Sequence, residues 1–161
     1  MEIWDCRRNS KRKIIMIKGT CLCLKVEFVV EGPIIGMSNC HCTECRKAYG
    51  SAFGTVAVCK KHDFKYIKGQ NLILSYKQTE RVIRYFCSSC GSPLPMVEDL
   101  DTLIGIPAGL LDDDPEITPS EHIFVAYKAP WWEITDNKPQ YQEWSPESDP
   151  NKRKDIIPPG L

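Results

Sequence analysis

The sequence lacks three things that would each have fixed a functional class. It lacks charge of one sign: 21 basic and 21 acidic side chains leave a formal net charge of zero. A protein whose main partner is a polyanion carries a basic excess that releases counterions on binding, so zero charge argues against a nucleic-acid binder. It lacks any apolar run of about 18 residues, so no membrane span is expected. It also lacks the apolar stretch of a secretory leader. Only Ile14-Ile15-Met16-Ile17 follow the basic start, where about 7–15 residues would be needed. The expected compartment is therefore cytoplasmic and reducing. Internal repeats and long linkers are missing too.

What the chain has in excess is cysteine. Nine in 161 residues is roughly three to four times average usage. Structural disulfides are rare in a reducing compartment, and an odd count leaves at least one thiol over. Cytosolic cysteines at this density point to metal ligands instead. The length suits one domain with a core of useful size, expected over residues 17–145 between an N-terminal extension (1–16) and a C-terminal tail (146–161). Arg7, Arg8, Lys11, Arg12 and Lys13 read as a solvated arm, with a weak nucleic-acid or nuclear-import patch as the alternative. The tail, rich in proline and charge without a period, reads as a surface strap or a frayed end.

Patterning predicts a mainly β protein of short strands with little helix. Lys25–Val30 alternates and ends at the Gly32-Pro33 turn. Thr43 could cap a short helix over Glu44–Tyr49 that Gly50 stops. Phe53–Val58 reads as a buried strand. Phe64–Ile67 and Asn71–Tyr76 look like a hairpin turning at Lys68-Gly69-Gln70. Arg81–Phe86, Leu103–Ile106 and Ile123–Tyr127 supply further strands.

Seven cysteines fall in three tight groups: Cys21-Leu-Cys23, Cys40-His-Cys42-Thr-Glu-Cys45 and Cys87-Ser-Ser-Cys90-Gly91. Thiolates at i and i+2 or i+3 in a turn can converge on one ion, with sulfurs about 2.3 Å from a zinc. The third group has the zinc-knuckle form, in which Gly91 allows the chain to turn with positive φ and frees amides to face the sulfurs. Pairing Cys21/Cys23 with Cys87/Cys90 would complete a closed four-thiolate zinc site stapling distant parts of the chain. Cys40, Cys42 and Cys45 would then stand apart as three ligands with one open position, the arrangement of a catalytic rather than a structural zinc. Three thiolates on one dication leave a negative centre, better suited to orienting an incoming thiol than to activating water. Other partitions stay open: Cys87/Cys90 could join Cys40/Cys42 or Cys42/Cys45, or His41 could close the second site. A redox dithiol would need a thioredoxin-like βαβ context, which is missing. Cys6 and Cys59 have no partner spacing, and Cys59 reads as a small buried hydrophobe.

The ordered pattern resembles the glutathione-dependent formaldehyde-activating enzyme / centromere protein V family. The matching residues are Gly19, Cys21 and Cys23; Cys40, His41, Cys42, Cys45 and Arg46; Gly50 and Ser51; Phe86, Cys87, Cys90 and Gly91; Gly109, Leu111, Asp112 and Asp113; and Pro119, His122 and Ile123. The resemblance implies a mainly β, zinc-stapled fold of the β-tent kind, built from short antiparallel strands. It implies a structural zinc on Cys21, Cys23, Cys87 and Cys90 and a second, open zinc on Cys40, Cys42 and Cys45. It also implies a carbon–sulfur lyase role, the reversible joining of a thiol such as glutathione to formaldehyde or another small carbonyl. Two departures stand out. Leu24 occupies a position that is usually glycine in the family, and the long basic arm of the centromere branch is absent.

Around these cysteines, Arg46 is the candidate for holding a substrate carboxylate, against a surface ion pair. His41 is expected behind the metal or at the surface, and Glu44 is a proton-shuttle candidate weighed against a solvated helix position. Phe53 reads as a core aromatic and His122 as a structural hydrogen-bonding residue. Asp112-Asp113-Asp114-Pro115 reads as a capped turn, not a cation site. Trp131-Trp132 could line a binding surface or dimer contact, or pack in the core. A homodimer is the default assembly. The leading expectation is a cytoplasmic zinc enzyme acting on a small thiol, and the rival is a non-catalytic zinc module binding a protein partner.

Overall fold

The computed structural model describes residues 16–79, 82–96 and 102–146. Cys6, the basic cluster, Arg81 and the tail from residue 147 lie outside them. Among the described residues, ten short strands form three small sheets. The first contains β1 (Ile17–Thr20), β2 (Glu27–Val30) and β5 (Phe64–Lys68), in the order β1-β2-β5. The second contains β3 (Gly36–Cys40), β4 (Gly54–Lys60), β9 (Leu103–Pro107) and β10 (His122–Ile123), in the order β10-β3-β4-β9. The third contains β6 (Ile73–Lys77), β7 (Ile83–Cys87) and β8 (Pro93–Leu94), in the order β6-β7-β8. The one α-helix among the described residues, α1, spans Thr43–Tyr49. The chain is thus mainly β, as its patterning indicated. One pairing departs from the expected antiparallel pattern: β10 runs parallel to β3.

Two apolar clusters hold the sheets together. Phe28, Val30 and Phe64 of the first sheet meet Ala57, Ile104 and Ile106 of the second. Phe28 is 1% exposed, and complete burial of such a side chain contributes about 1.5–3 kcal/mol. Cys59 is fully buried in the same cluster, where burial raises its thiol to about 12, so it is the inert hydrophobe its sequence context suggested. The second cluster joins Val26 to Leu94 with Cys21 and Cys87. Tyr66 packs against both.

The expected hairpin at Lys68-Gly69-Gln70 does not form. β5 pairs with β2, whereas β6 pairs with β7. Gly69 adopts φ +77°, and a 3-10 turn over Gln70–Leu72 carries the chain away. A Cβ at Gly69 would lie 2.1 Å from the Lys25 carbonyl oxygen, so the chain crosses itself there and delivers β6 to another sheet. The expected strand Ile123–Tyr127 stops at Ile123. Phe124 turns with φ +58° into a 3-10 segment at Val125–Tyr127. The strands β1, β3 and β8 were not evident from patterning. Gly36-Met-Ser-Asn-Cys40 has no strong alternation of its own and becomes a strand by pairing with β4 along its whole length. Asp112–Asp114 form the expected capped turn. Thr20 donates its hydroxyl to Asp112 at 3.0 Å, the Lys18 amide donates to Asp113 at 2.8 Å, and the Glu116 amide donates to Asp114 at 2.8 Å.

Candidate metal centres

The chain brings seven cysteines into two groups. In the first, the sulfurs of Cys21, Cys23, Cys87 and Cys90 all lie within 4.8 Å of one another. Cys21 and Cys23 sit in the turn leaving β1, Cys87 ends β7, and Cys90 follows in a turn that Gly91 closes with φ +74°. Leu24 adopts φ +60° and is 61% exposed. The knuckle therefore keeps its left-handed turn despite the missing glycine, with a side chain in a conformation that costs about 1–2 kcal/mol. Its amide donates to the Cys21 carbonyl at 2.8 Å.

The sulfur of Cys23 lies 3.5 Å from that of Cys21 and 3.9 Å from that of Cys87. A disulfide needs about 2.05 Å, and all the described cysteines are free. A tetrahedron with bonds of about 2.3 Å has edges of about 3.8 Å, so the donor set and its spacing fit a four-coordinate ion. Backbone groups face the sulfurs as well. The Val26 amide donates to Cys21 at 3.3 Å. Ser92, which sequence reasoning did not single out, ties the two loops together. Its oxygen accepts from the Leu22 amide at 3.0 Å and lies 3.3 Å from the Cys90 sulfur. The Ser92 hydroxyl, followed by backbone amides, pulls the Cys90 thiol down to about 6. Burial pushes the Cys87 thiol up to about 11.

The second group is Cys40, Cys42 and Cys45, whose sulfurs are also within 4.8 Å of one another. Among the described residues no further His, Cys, Asp or Glu joins the four of the first set, and no fourth joins the three of the second. The alternative partitions that mixed the middle cysteines with Cys87/Cys90 are therefore not adopted. Each ligand comes from a different local device. Cys40 ends β3, paired on one side with Gly54 of β4 and on the other with Ile123 of β10. Cys42, rather than the expected Thr43, is the N-cap of α1. Its sulfur accepts the Cys45 amide at 3.3 Å. Cys45 lies in the first turn of α1, and the helix ends as expected at Gly50 with φ +58°. Gly54 is needed for close approach, since a Cβ there would meet the Tyr49 ring at 2.9 Å and the Cys45 Cβ at 3.3 Å.

The three thiols cannot all carry charge at this spacing without a cation. Hydrogen bonds from Cys40 and Cys42 hold the Cys45 thiol well below its ordinary range, helped by the charge and hydrogen bond of Arg84. The same contacts, to Cys42 and Cys45, hold Cys40 far above its ordinary range. A dication would relieve this conflict, and three thiolates suit a soft or borderline ion.

His41 does not close the site. It is fully buried, and its Nε2 lies 2.8 Å from His122 Nδ1. His122 Nε2 in turn lies 3.2 Å from both carboxylate oxygens of Asp136. The carboxylate accepts from His122 Nε2–H, which leaves His122 Nδ1 to accept from His41 Nε2–H. Burial first, then the nearby charges of His122, Lys128 and Arg46, lower the His41 imidazole to about 4. His122 is thus the hydrogen-bonding residue expected, and Asp136 completes a chain that no local pattern announced. Phe53 stacks on His41 with centroids 5.1 Å apart and meets Trp132 at 5.7 Å. Trp131 is 70% exposed.

Beside Cys45 opens a cleft of about 450 Å³ between α1 and β7, lined by Glu44, Lys47, Tyr49, Tyr76, Arg84 and Phe86 among others. That volume suits a small organic molecule. Glu44 is exposed on this cleft. Arg46 does not line it. The Arg46 Nε is buried without a hydrogen-bond partner.

A family model described as glutathione-dependent formaldehyde-activating enzyme matches residues 16–127. The chain belongs to this family. The match contains all seven clustered cysteines and both members of the buried histidine pair. The crystal structure of a Rhodobacter sphaeroides protein resembles it with a TM-score of 0.50 at 24% identity, covering 63% of this chain and 91% of that one. At that identity the likeness concerns the fold. Comparison with curated proteins gives no match. No helix among the described residues is long and apolar enough to cross a membrane.

Proposed function

We propose that this member of the formaldehyde-activating family is a cytoplasmic zinc enzyme that joins a small thiol, such as glutathione, to formaldehyde or another small carbonyl. The observation that carries the reading is the three-cysteine cluster, joined by no fourth ligand among the described residues and placed beside a cleft. Cys21, Cys23, Cys87 and Cys90 would hold a structural zinc, and Cys40, Cys42 and Cys45 an open one. In the open site the ion would supply a binding position for a thiolate and make loss of the thiol proton easier. In the forward direction the substrate sulfur donates an electron pair to the carbonyl carbon, forming the carbon–sulfur bond. The carbonyl π pair moves to oxygen, which takes up the proton lost by the thiol, giving an S-hydroxymethyl product. The chain's own part is placement. Tyr49 walls the cluster beside Cys45, and Phe53 packs on His41, the residue between two of its ligands.

A second reading, a non-catalytic zinc module, draws on the exposed Trp131 and its neighbour Trp132, a surface suited to a protein partner. Zinc content and glutathione binding separate the two in wild type and Cys42→Ser. The enzyme reading expects the variant to stay folded, lose one of two zinc equivalents and stop binding glutathione. It also expects wild type alone to form S-hydroxymethylglutathione from glutathione and formaldehyde. Two retained zincs, or no glutathione binding by wild type, would favour the module.

A further inference from the structure

Arg84 was not a candidate from its sequence, and its surroundings now mark it. It is the second residue of β7, three residues before Cys87, and is half-buried opposite Tyr76 of β6. Its guanidinium neighbours Cys45, whose thiol its charge helps to hold low, and its Nε donates to Gln78 Oε1 at 2.8 Å. It also lines the cleft beside that cysteine, where Lys47 stands on the α1 wall. A guanidinium carries five N–H donors in a fixed fork, and these two contacts use only part of that capacity. Most of the remaining lining comes from aromatic and aliphatic side chains, with Glu44 its one carboxylate among the described residues. A cation held against apolar walls favours an anionic ligand more strongly than one facing bulk water.

We propose that Arg84 is the specificity-determining residue of the three-cysteine site, meeting an anionic group of the thiol whose sulfur enters beside Cys45. The proposal rests on the thiol reading above and adds the chemical class: thiols carrying a carboxylate a few bonds from sulfur. It also moves the anion contact from Arg46 to Arg84. Successive helical residues point about 100° apart. Arg46 is therefore turned from the cleft that Glu44, Lys47 and Ala48 line.

The test uses the zinc-loaded full chain and two thiols of equal size, 3-mercaptopropionate and 3-mercaptopropionamide, followed by calorimetry. Wild type should bind the acid about tenfold more tightly than the amide, the scale of one charge-assisted contact in a half-open site. Arg84→Gln should bring the ratio to about one while amide binding and zinc content hold, and Arg46→Gln should leave the ratio unchanged. A ratio that persists in Arg84→Gln, or collapses in Arg46→Gln instead, overturns the proposal. Should Arg84→Gln lose zinc, the wild-type guanidinium decides by NMR. The Arg84 Nε–H resonance should move with the acid and not with the amide, and equal or absent movement overturns the proposal. If wild type binds neither thiol, the enzyme reading falls and takes this one with it. If both bind without preference, only the role of Arg84 falls.

Discussion

The two cysteine clusters use the same donor atom and differ in what surrounds it. Around Cys21, Cys23, Cys87 and Cys90 the neighbours are backbone amides, Ser92 and the apolar cluster between two sheets. All four donors are supplied there, and Phe86, Gly91 and Leu94 beside this set line the far side of the same cleft. Around Cys40, Cys42 and Cys45 stand the buried His41–His122 pair tied to an exposed Asp136, with Tyr49, Arg84 and a cleft. The contrast teaches that ligand count and neighbourhood vary together. The complete set is set into the joint between sheets, and the incomplete one lies beside Tyr49 and Arg84, which line the cleft.

The hardest way to break that contrast is to remove one sulfur from each cluster. Cys87→Ser should abolish cooperative folding, because structural zinc binding in small sites contributes about 10–16 kcal/mol of apparent free energy, and thermal melts by circular dichroism would show it. Cys42→Ser should keep the fold, since serine is itself a good helix N-cap, while metal analysis shows one ion lost. Equal damage from the two substitutions would erase the distinction.

A smaller change tests how the open cluster is built. Gly54→Ala places a methyl against the Tyr49 ring and the Cys45 Cβ. Overpacking of this kind costs about 1–3 kcal/mol, readable by urea unfolding. Metal affinity should fall at the three-cysteine site and hold at the other. His122→Phe probes the chain behind it. Leaving the buried His41 Nε2–H without an acceptor should cost about 1–3 kcal/mol. The loss should appear as weaker thiol binding with both metals retained.

The smallest change sharpens the other side of the comparison. Leu24→Gly relieves a side chain held at φ +60° and should stabilise the four-cysteine knuckle by about 1 kcal/mol. The gain would appear in thermal unfolding and leave thiol binding unchanged. A destabilised variant would show that the Leu24 side chain contributes more than its strained backbone costs.

Both clusters were legible in the sequence because their ligands come in local pairs and triplets whose spacing survives any tertiary arrangement. The turn at Gly91 and the end of α1 at Gly50 were legible for the same reason. What escaped was decided at long range. Arg84 looks like one more alternating strand residue until β7 is laid beside α1. Asp136 sits in a stretch without strand or helix pattern and matters only because β10 carries His122 beside β3. The expected hairpin after β5 failed because a left-handed Gly69 under the Lys25 carbonyl sends the chain to a different sheet. Turn chemistry at that point gave a change of direction and no partner.

The most direct test of the difference between the clusters is cadmium-113 NMR of the full chain loaded with two equivalents, before and after glutathione. Two resonances are expected, one in the four-sulfur region that stays fixed and one from the three-sulfur site that moves downfield as a fourth sulfur arrives. Two fixed resonances, or a single four-sulfur signal with the other cysteines unligated, would contradict an open centre at Cys40, Cys42 and Cys45.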